Sequence, residues 1–387
     1  MLKVKLVTIG RFWHFHLARQ LLKYNLLDEI YSGYPKFKLV DEKNIPSKKI
    51  KTYPYYQVPY LFYNRYFQNT LPFINHYLSD LSHKKIAIKV SKNIGNSNVL
   101  IGTSGSVLEA GKKIKSLNGK FVCDRGSTHI NFQNETIKNE YKNFNLDYNE
   151  ISQKTVEREL EEYDTADLIS VPSSFVYNSF LKNGIEEKKL FLNPFGVNLD
   201  RFSPLPKIND GKFQVLYVGT LSIRKGIFYL LEAFKKLNFK NKKLTLIGPI
   251  EKNIKDKVFK NLSDKIEYLS VIKNKDLNRY YSMADVMVQP SIEEGLSLVM
   301  AEALACGCPV IATENTGASD LFQNNKEGFI IKAKSIEQIH DKMQLLADNK
   351  ILQKEMSNNA VLNVEKIGGW NHYGDNWQKK LKNIIND

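Results

Sequence analysis

The second half of the chain alternates short, near-continuous apolar runs with stretches of helical spacing, and few folds accommodate that pattern. "FQVLYVGT" (213–220) is closed by Gly219 and followed by "GIFYLLEAFKKL" (226–237), whose apolar residues recur at helical intervals. "KLTLIGP" repeats the strand, "LNRYYSMA" the helix, and "DVMVQPS" and "PVIAT" supply two further strands. Strands apolar at nearly every position are buried on both faces, so helices must cover a parallel sheet from both sides. The pattern predicts a doubly wound α/β unit.

The first half repeats the theme less regularly. "KVKLVTIG" reads as a strand, "HFHLARQLLKYN" as a helix, and "DEIYSGYP", "NVLIGT", "GKFVCDRGS" and "ADLISVPS" as strands. A chain of 387 residues also exceeds one ordinary core. Two Rossmann-like units are expected, over 1–203 and 204–365, joined near "FSPLPKINDGK" (202–212), where two prolines and a polar run mark a linker. The natural ligand site is the cleft between them.

Composition narrows the function classes. The net charge of +15 raises nucleic acid, an anionic membrane or phosphorylated ligands as partners. The first apolar run is broken at Gly10 and Arg11, which suits a buried strand and neither a signal peptide nor a membrane span. Three cysteines fit a reducing cytoplasm, and Cys306 and Cys308 lack the second ligand pair of a zinc site. They read as small residues around a turn.

Chemistry concentrates in "PSIEEGLSLVMAEALACGCPVIAT" (290–313). Glu294 falls in a loop after a strand, and Glu302 about one and a half turns into a helix that starts near Ser297 and stops at Gly307 and Pro309. Amides of Leu296, Ser297 and Leu298, with Gly295 before them, can take an anion at the helix start. A carboxylate can accept from two neighbouring hydroxyls. Phosphate and hydroxyls together suggest a nucleotide sugar. In "VGTLSIRKG", Arg224 and Lys225 would project beside Thr220 and neutralise a diphosphate, and "NTGASDL" predicts a second helix start with free amides around Gly317, Ala318 and Ser319. Alone, each glutamate would read as a solvated or helix-forming residue; their order with strand, turn, helix and basic loop gives them weight.

On the first unit, "FVCDRGSTHI" predicts a loop facing the cleft, with Arg125, Ser127 and His129 on the acceptor side and His129 orienting an acceptor hydroxyl. The bland reading of His129 is structural. Gly10 could let the chain approach donor phosphates, with Arg11, His14 and His16 nearby, but one glycine is no dinucleotide fingerprint.

These segments resemble the retaining, GT-B-fold glycosyltransferases of family 4. The resemblance rests on "EEGLSLVMAEALACGCPV", on "VGTLSIRKG" and on "YYSMADVMVQPS", and it covers about half the chain, the first half only by architecture. It implies that Glu302 binds a ribose, that Glu294 holds the transferred sugar, that Arg224 and Lys225 bind the diphosphate, and that the terminal stretch, 366–387, crosses back onto the first unit. It also implies same-face attack, the departing phosphate oxygen taking the acceptor's proton. One departure is Thr220, where many relatives carry Arg; Arg224 stands as its substitute. The chain has no Asp-x-Asp, so no metal or other cofactor is expected.

The expected activity is transfer from a nucleoside-diphosphate sugar to a glycan or lipid-linked glycan in bacterial surface polysaccharide synthesis. An epimerase or phosphorylase of the same fold, and a basic nucleic-acid-binding protein, are the alternatives, the last without a supporting motif. Between Ile30 and Lys92 the chain carries eleven Lys or Arg against three Asp or Glu, with thirteen aromatics. That mixture suits an anionic membrane surface, or a solvated face around an aromatic core.

Overall fold

The computed structural model describes residues 2–67, 71–208 and 210–386. Its strands are β1 (Val4–Thr8), β2 (Leu27–Ser32), β3 (Ile50–Thr52), β4 (Val99–Thr103), β5 (Lys120–Asp124), β6 (Leu168–Val171), β7 (Leu190–Leu192), β8 (Phe213–Val218), β9 (Lys242–Ile247), β10 (Ile266–Leu269), β11 (Val286–Gln289), β12 (Val310–Thr313) and β13 (Gly328–Ile331). They form two sheets, ordered β3-β2-β1-β4-β5-β6-β7 and β10-β9-β8-β11-β12-β13. Every pairing is parallel.

In each sheet the winding reverses once, between β1 and β4 and between β8 and β11. Loops on either side of such a reversal diverge to opposite faces and leave a crevice at the strands' carboxyl ends. The loops after β8 and β11 carry Arg224, Lys225 and Glu294, so the chain order alone brings these residues together.

The central strands are buried along their whole length, and β1 buries even Lys5, whose ammonium pairs with Asp28 at 3.2 Å and Glu29 at 2.8 Å. One apolar cluster belongs to the first unit. Another fills the second unit and takes in Ile137 and Tyr141 from the helix Ile130–Asn143 of the first. A third runs from Leu6 and Phe15 to Met300 and Trp377, joining both units. The terminal helix Gly369–Asn386 packs on the helix His14–Lys23: Trp370 stacks on His16 with ring centroids 4.0 Å apart, and the buried Trp377 meets Phe191 edge-on.

Candidate active site

The β11 loop leads into the helix Leu298–Ala305, whose N-cap Ser297 makes no side-chain capping bond. The Ser297 amide is not free: it donates, at a long 3.4 Å, to the Thr316 carbonyl. At the other end Gly307 takes φ 73°, and the amides of Gly307 and Cys308 bond the carbonyls of Leu304 and Ala303. That glycine stop turns the chain into β12.

One turn into this helix, Glu302 is half-buried, its Oε2 accepting from the Tyr281 hydroxyl at 2.8 Å and its Oε1 from Asn274 Nδ2 at 3.2 Å. Burial raises its pKa to about 7, against the pull of those two hydrogen bonds and the Arg201 charge. The Arg201 charge also acts on His16 of the first unit, so Glu302 and His16 both feel one exposed cation. Arg201 in turn bonds the Asn274 side chain. Sequence reasoning did not single out Tyr281, Asn274 or Arg201; Tyr281 stood in the quoted "LNRYYSMA", but only the fold points its hydroxyl at Glu302.

Glu294 is half-buried and ion-paired with Lys225, so the two sequence-predicted charges meet directly. Burial and the Arg224 charge pull the Lys225 pKa down to about 7, a pull that the Glu293 charge opposes. The next residue, Gly226, has φ 68°, and a Cβ there would lie 2.0 Å from the Pro290 carbonyl oxygen, so the loops after β8 and β11 touch through backbone. Arg224 is held by Glu293, a residue the spacing of the two glutamates did not single out. Thr220 is exposed, its carbonyl accepting from Tyr217 at 2.8 Å.

Gly295 marks a close backbone approach of the two units. A Cβ at this position would fall 1.8 Å from the Gly126 carbonyl oxygen, and its own carbonyl accepts from Ser173 Oγ at 2.6 Å. Leu296 is buried beside Gly317. The expected second helix start is absent as such. Glu314–Thr316 and Ala318–Asp320 are short 3-10 turns, and the Asp320 carboxylate accepts from the Ser174 amide and hydroxyl at 2.9 and 2.6 Å. The region around Gly317, Ala318 and Ser319 therefore joins the units where a helix was expected to open.

On the first unit, two expectations are corrected. Arg125 does not face the cleft: it is buried, with Nη1 3.0 Å from Glu159 Oε1 and 3.1 Å from Ser104 Oγ, Nε on the Thr128 carbonyl and Nη2 on Gln133. His129 is buried too and caps the helix Ile130–Asn143, its Nδ1 accepting from the Asn131 amide at 3.3 Å, its ring against Tyr163 and Phe180. Burial and the Arg125 charge lower its pKa to about 4. A polar residue after a strand can turn inward as readily as outward, and a neighbouring buried acid, Glu159, drew Arg125 in. Ser127 does reach the contact between the units.

Around β1, the Gly10 carbonyl accepts from Ser32 Oγ at 3.1 Å, and Arg11 pairs with Glu42. His14 is fully buried with Nε2 3.1 Å from Asp124, which also accepts from Trp13 Nε1 at 2.7 Å. His16 lies under Trp370, and burial with the charges of Arg19, Arg201 and Arg11 lowers its pKa to about 3. Cys306 and Cys308 are buried free thiols, and no cluster of three or more metal-ligating side chains occurs among the described residues.

Within residues 30–92, Lys36, Lys48, Lys51, Lys89 and Lys92 line an open groove of about 800 Å³ beside β2 and β3, which also takes in Lys5, the acids Asp28 and Glu29, and Tyr31. Seven of the thirteen aromatics lie on the helices Gln57–Phe67 and Pro72–Ser91, where Phe62, Tyr66, Phe67, Phe73 and Tyr77 are exposed, as are Phe37 and Tyr55 before them. No helix among the described residues is long and apolar enough to cross a membrane.

Two doubly wound, wholly parallel units meeting at their strands' carboxyl ends define the GT-B architecture. Solved structures with that fold superpose over nearly the whole chain. HepE from Anabaena in complex with UDP and glucose aligns with TM-score 0.71 at 14% identity, covering 99% of this chain and 100% of that one. Sucrose-phosphate synthase from Thermosynechococcus elongatus aligns with TM-score 0.68 at 18% identity, covering 100% and 99%.

Residues 200–362 match the family model of glycosyl transferases group 1. Similar curated proteins include the capsular polysaccharide biosynthesis glycosyltransferase CapM of Staphylococcus aureus, 28% identical over 222 residues, or 51% of this chain and 57% of that protein. A D-inositol 3-phosphate glycosyltransferase of Pseudarthrobacter chlorophenolicus is 26% identical over 232 residues, 54% and 55% of the two chains. The chain thus spans a little over half the length of these relatives.

Proposed function

We propose that this protein is a retaining, metal-independent glycosyltransferase. It would move a sugar from a nucleoside-diphosphate sugar to a glycan or lipid-linked glycan, in surface polysaccharide synthesis at the cytoplasmic face of a bacterial membrane. The observation that carries this reading is the meeting, at the winding reversal of the second sheet, of Lys225 with Glu294, while Glu302 stands one turn into the following helix. The match of residues 200–362 to group 1 glycosyl transferases and the capsular relative support the class and the pathway.

In this reading Glu302 accepts from the ribose hydroxyls, which replace Tyr281 and Asn274 as its partners, and Glu294 accepts from a hydroxyl of the transferred sugar. The bond from the anomeric carbon to the phosphate oxygen breaks, its electron pair leaving with the diphosphate. Lys225, Arg224 and the amides at Leu296 and Leu298 stabilise that growing charge. The acceptor oxygen bonds the same face of the anomeric carbon, and its proton passes to the departing phosphate oxygen. Metal independence is supported by the two cations at the diphosphate position and by the lack of any Asp-x-Asp in the sequence.

The exposed aromatics of the helices Gln57–Phe67 and Pro72–Ser91 favour an anionic bilayer carrying the acceptor, because residues 43–79 contain no Asp or Glu to oppose it. Co-sedimentation with anionic but not zwitterionic vesicles is the check.

Thermal-shift titration against UDP, GDP, ADP, CMP and dTDP, without added metal, tests the central reading. One nucleoside diphosphate should raise the melting temperature, and Glu302→Ala should abolish the rise, because a ligand of the native state stabilises it by mass action. No response to any of the five would defeat it.

A further inference from the structure

Glu293 is a fully confined carboxylate between the units, and nothing in the proposed reaction uses it. Its side chain is fully buried. Oε1 accepts from Ser127 Oγ at 2.9 Å, the Thr128 amide at 3.2 Å and Thr128 Oγ1 at 2.7 Å. Oε2 accepts from Arg224 Nε at 2.7 Å and Gln133 Nε2 at 3.3 Å. Ser127, Thr128 and Gln133 belong to the first unit, Arg224 and Glu293 to the second. One carboxylate therefore gathers donors from both sides of the contact and fills its lone-pair positions.

Burial alone would raise its pKa, but the Arg224 charge and the Thr128 and Ser127 donors outweigh burial and hold it at about 2. Glu293 is thus ionised throughout the physiological range. An ionised carboxylate so deeply buried is tolerable only while its donors stay in place. If the units part, Glu293 loses every donor from the first one.

Arg224 depends on the same contact. Its Nε is committed to Glu293 and its Nη2 donates to Ser127 Oγ at 3.0 Å, so both units orient the guanidinium plane. Nη1 has no described protein partner, and the side chain is 31% exposed. A planar fork fixed along one edge presents the other edge in one direction. The backbone approach of Gly295 to Gly126 confines the same loops.

We propose that Glu293 is a positioning residue that couples closure of the two units to the presentation of Arg224. With the units in contact, Glu293 and Ser127 together aim the free edge of Arg224 at the diphosphate. With the units apart, Ser127 no longer braces the guanidinium, and the cation loses that fixed direction. This rests on the assignment of the diphosphate to Arg224 and Lys225, so the test separates the two.

The first arm needs no ligand. The native thiols Cys123, Cys306 and Cys308 are buried, so dyes placed on Lys113→Cys and Lys260→Cys, exposed positions on opposite units, report the distance between the units in the intact chain. Glu293→Gln, which keeps the shape, and Thr128→Val, which removes one donor from the opposite unit, should each lower the efficiency of energy transfer between the dyes. Their combination should lower it by less than the sum. Unchanged efficiency in both single variants overturns the proposal.

The second arm uses the nucleoside diphosphate selected by thermal shift and the matching monophosphate. Arg224→Ala should weaken the diphosphate about tenfold in the wild-type background, an ordinary coupling between sites, and the effect should nearly vanish with Glu293→Gln. The monophosphate should respond to neither. An Arg224→Ala effect that persists undiminished beside Glu293→Gln overturns the coupling. Failure of every nucleoside diphosphate to bind defeats the functional reading instead, and the distance arm alone then decides whether Glu293 holds the units together.

Discussion

Both units set charged side chains at the carboxyl ends of parallel strands, and they use them in opposite ways. After β5, Arg125 is buried and its guanidinium is matched donor by donor to Glu159, Ser104, Thr128 and Gln133. Beyond β11, Glu302 is only half-buried, holds two neutral donors, and has its pKa raised to about 7 by burial. The first arrangement is complete within the protein. The second leaves a carboxylate whose ionised form is under-supported until a ligand supplies more donors. Similar residue types at similar topological positions thus divide into a structural set and a ligand-ready set, and the degree of satisfaction separates them.

The largest expected effect tests the structural set. Arg125→Ala strands Glu159 in the core, where it keeps Tyr163 as a donor at 2.7 Å but loses its counter-charge. Removing one member of a buried pair costs about 3–5 kcal/mol. Thermal melting should show a large drop, while the folded fraction keeps its nucleoside-diphosphate affinity. Intact stability with lost affinity would place Arg125 in the binding machinery and break the comparison.

Glu302→Gln should act in the opposite sense. A carboxylate whose folded pKa is raised from 4.5 to about 7 favours the folded state at low pH and loses that contribution as pH rises through 7. Without nucleotide, the Glu302→Gln variant should therefore be more stable than wild type at pH 8, by about 2 kcal/mol, and nearly equal to it at pH 4. Nucleotide affinity should fall in the same variant. Melting curves at the two pH values, with and without nucleotide, read both signs. A variant less stable than wild type at pH 8 would mean that Glu302 is as well satisfied as Arg125.

What the sequence shows and hides follows the same division. The nine strands readable from apolar runs are the interior strands of both sheets, buried on two faces. The four that were not readable, β3, β7, β10 and β13, are the sheet edges. An edge strand of three or four residues is covered less and needs less apolar sequence, as Glu267 in β10 and the exposed Lys51 in β3 illustrate. Glu294 and Glu302 are legible because strand, turn and helix fix their spacing locally. Glu293 was passed over because the doublet offers two carboxylates to one spacing rule, and only the approach of Ser127 and Thr128, some 165 residues earlier, distinguishes them. Arg125 and His129 were placed in the cleft because the sequence shows a strand end, whereas Glu159, Tyr163 and Phe180 draw them inward from distant segments.

The smallest expected effect is at His129, and it decides between an acceptor-side base and a helix cap. A base working near neutrality would titrate there, and its removal would abolish an inflection in activity. His129 is instead held neutral, burial and the Arg125 charge lowering its pKa from 6.5 to about 4. A histidine lowered in the folded state supports folding above pH 6.5, where both states are neutral, and loses that support as pH falls towards 4, because the unfolded chain takes up the proton first. Asparagine also caps helices well, so His129→Asn should keep the bond to the Asn131 amide and lose mainly the packing against Tyr163 and Phe180. The cost should be about 1 kcal/mol at pH 8 and should shrink at pH 5, where wild type carries the protonation penalty that the variant lacks. Melting at the two pH values measures this. Transfer activity of His129→Asn between pH 6 and 8 should keep the wild-type profile, since no group at position 129 changes charge there in either protein. A profile that loses an inflection near neutrality would return His129 to the cleft and leave the buried cluster of the first unit without its cap.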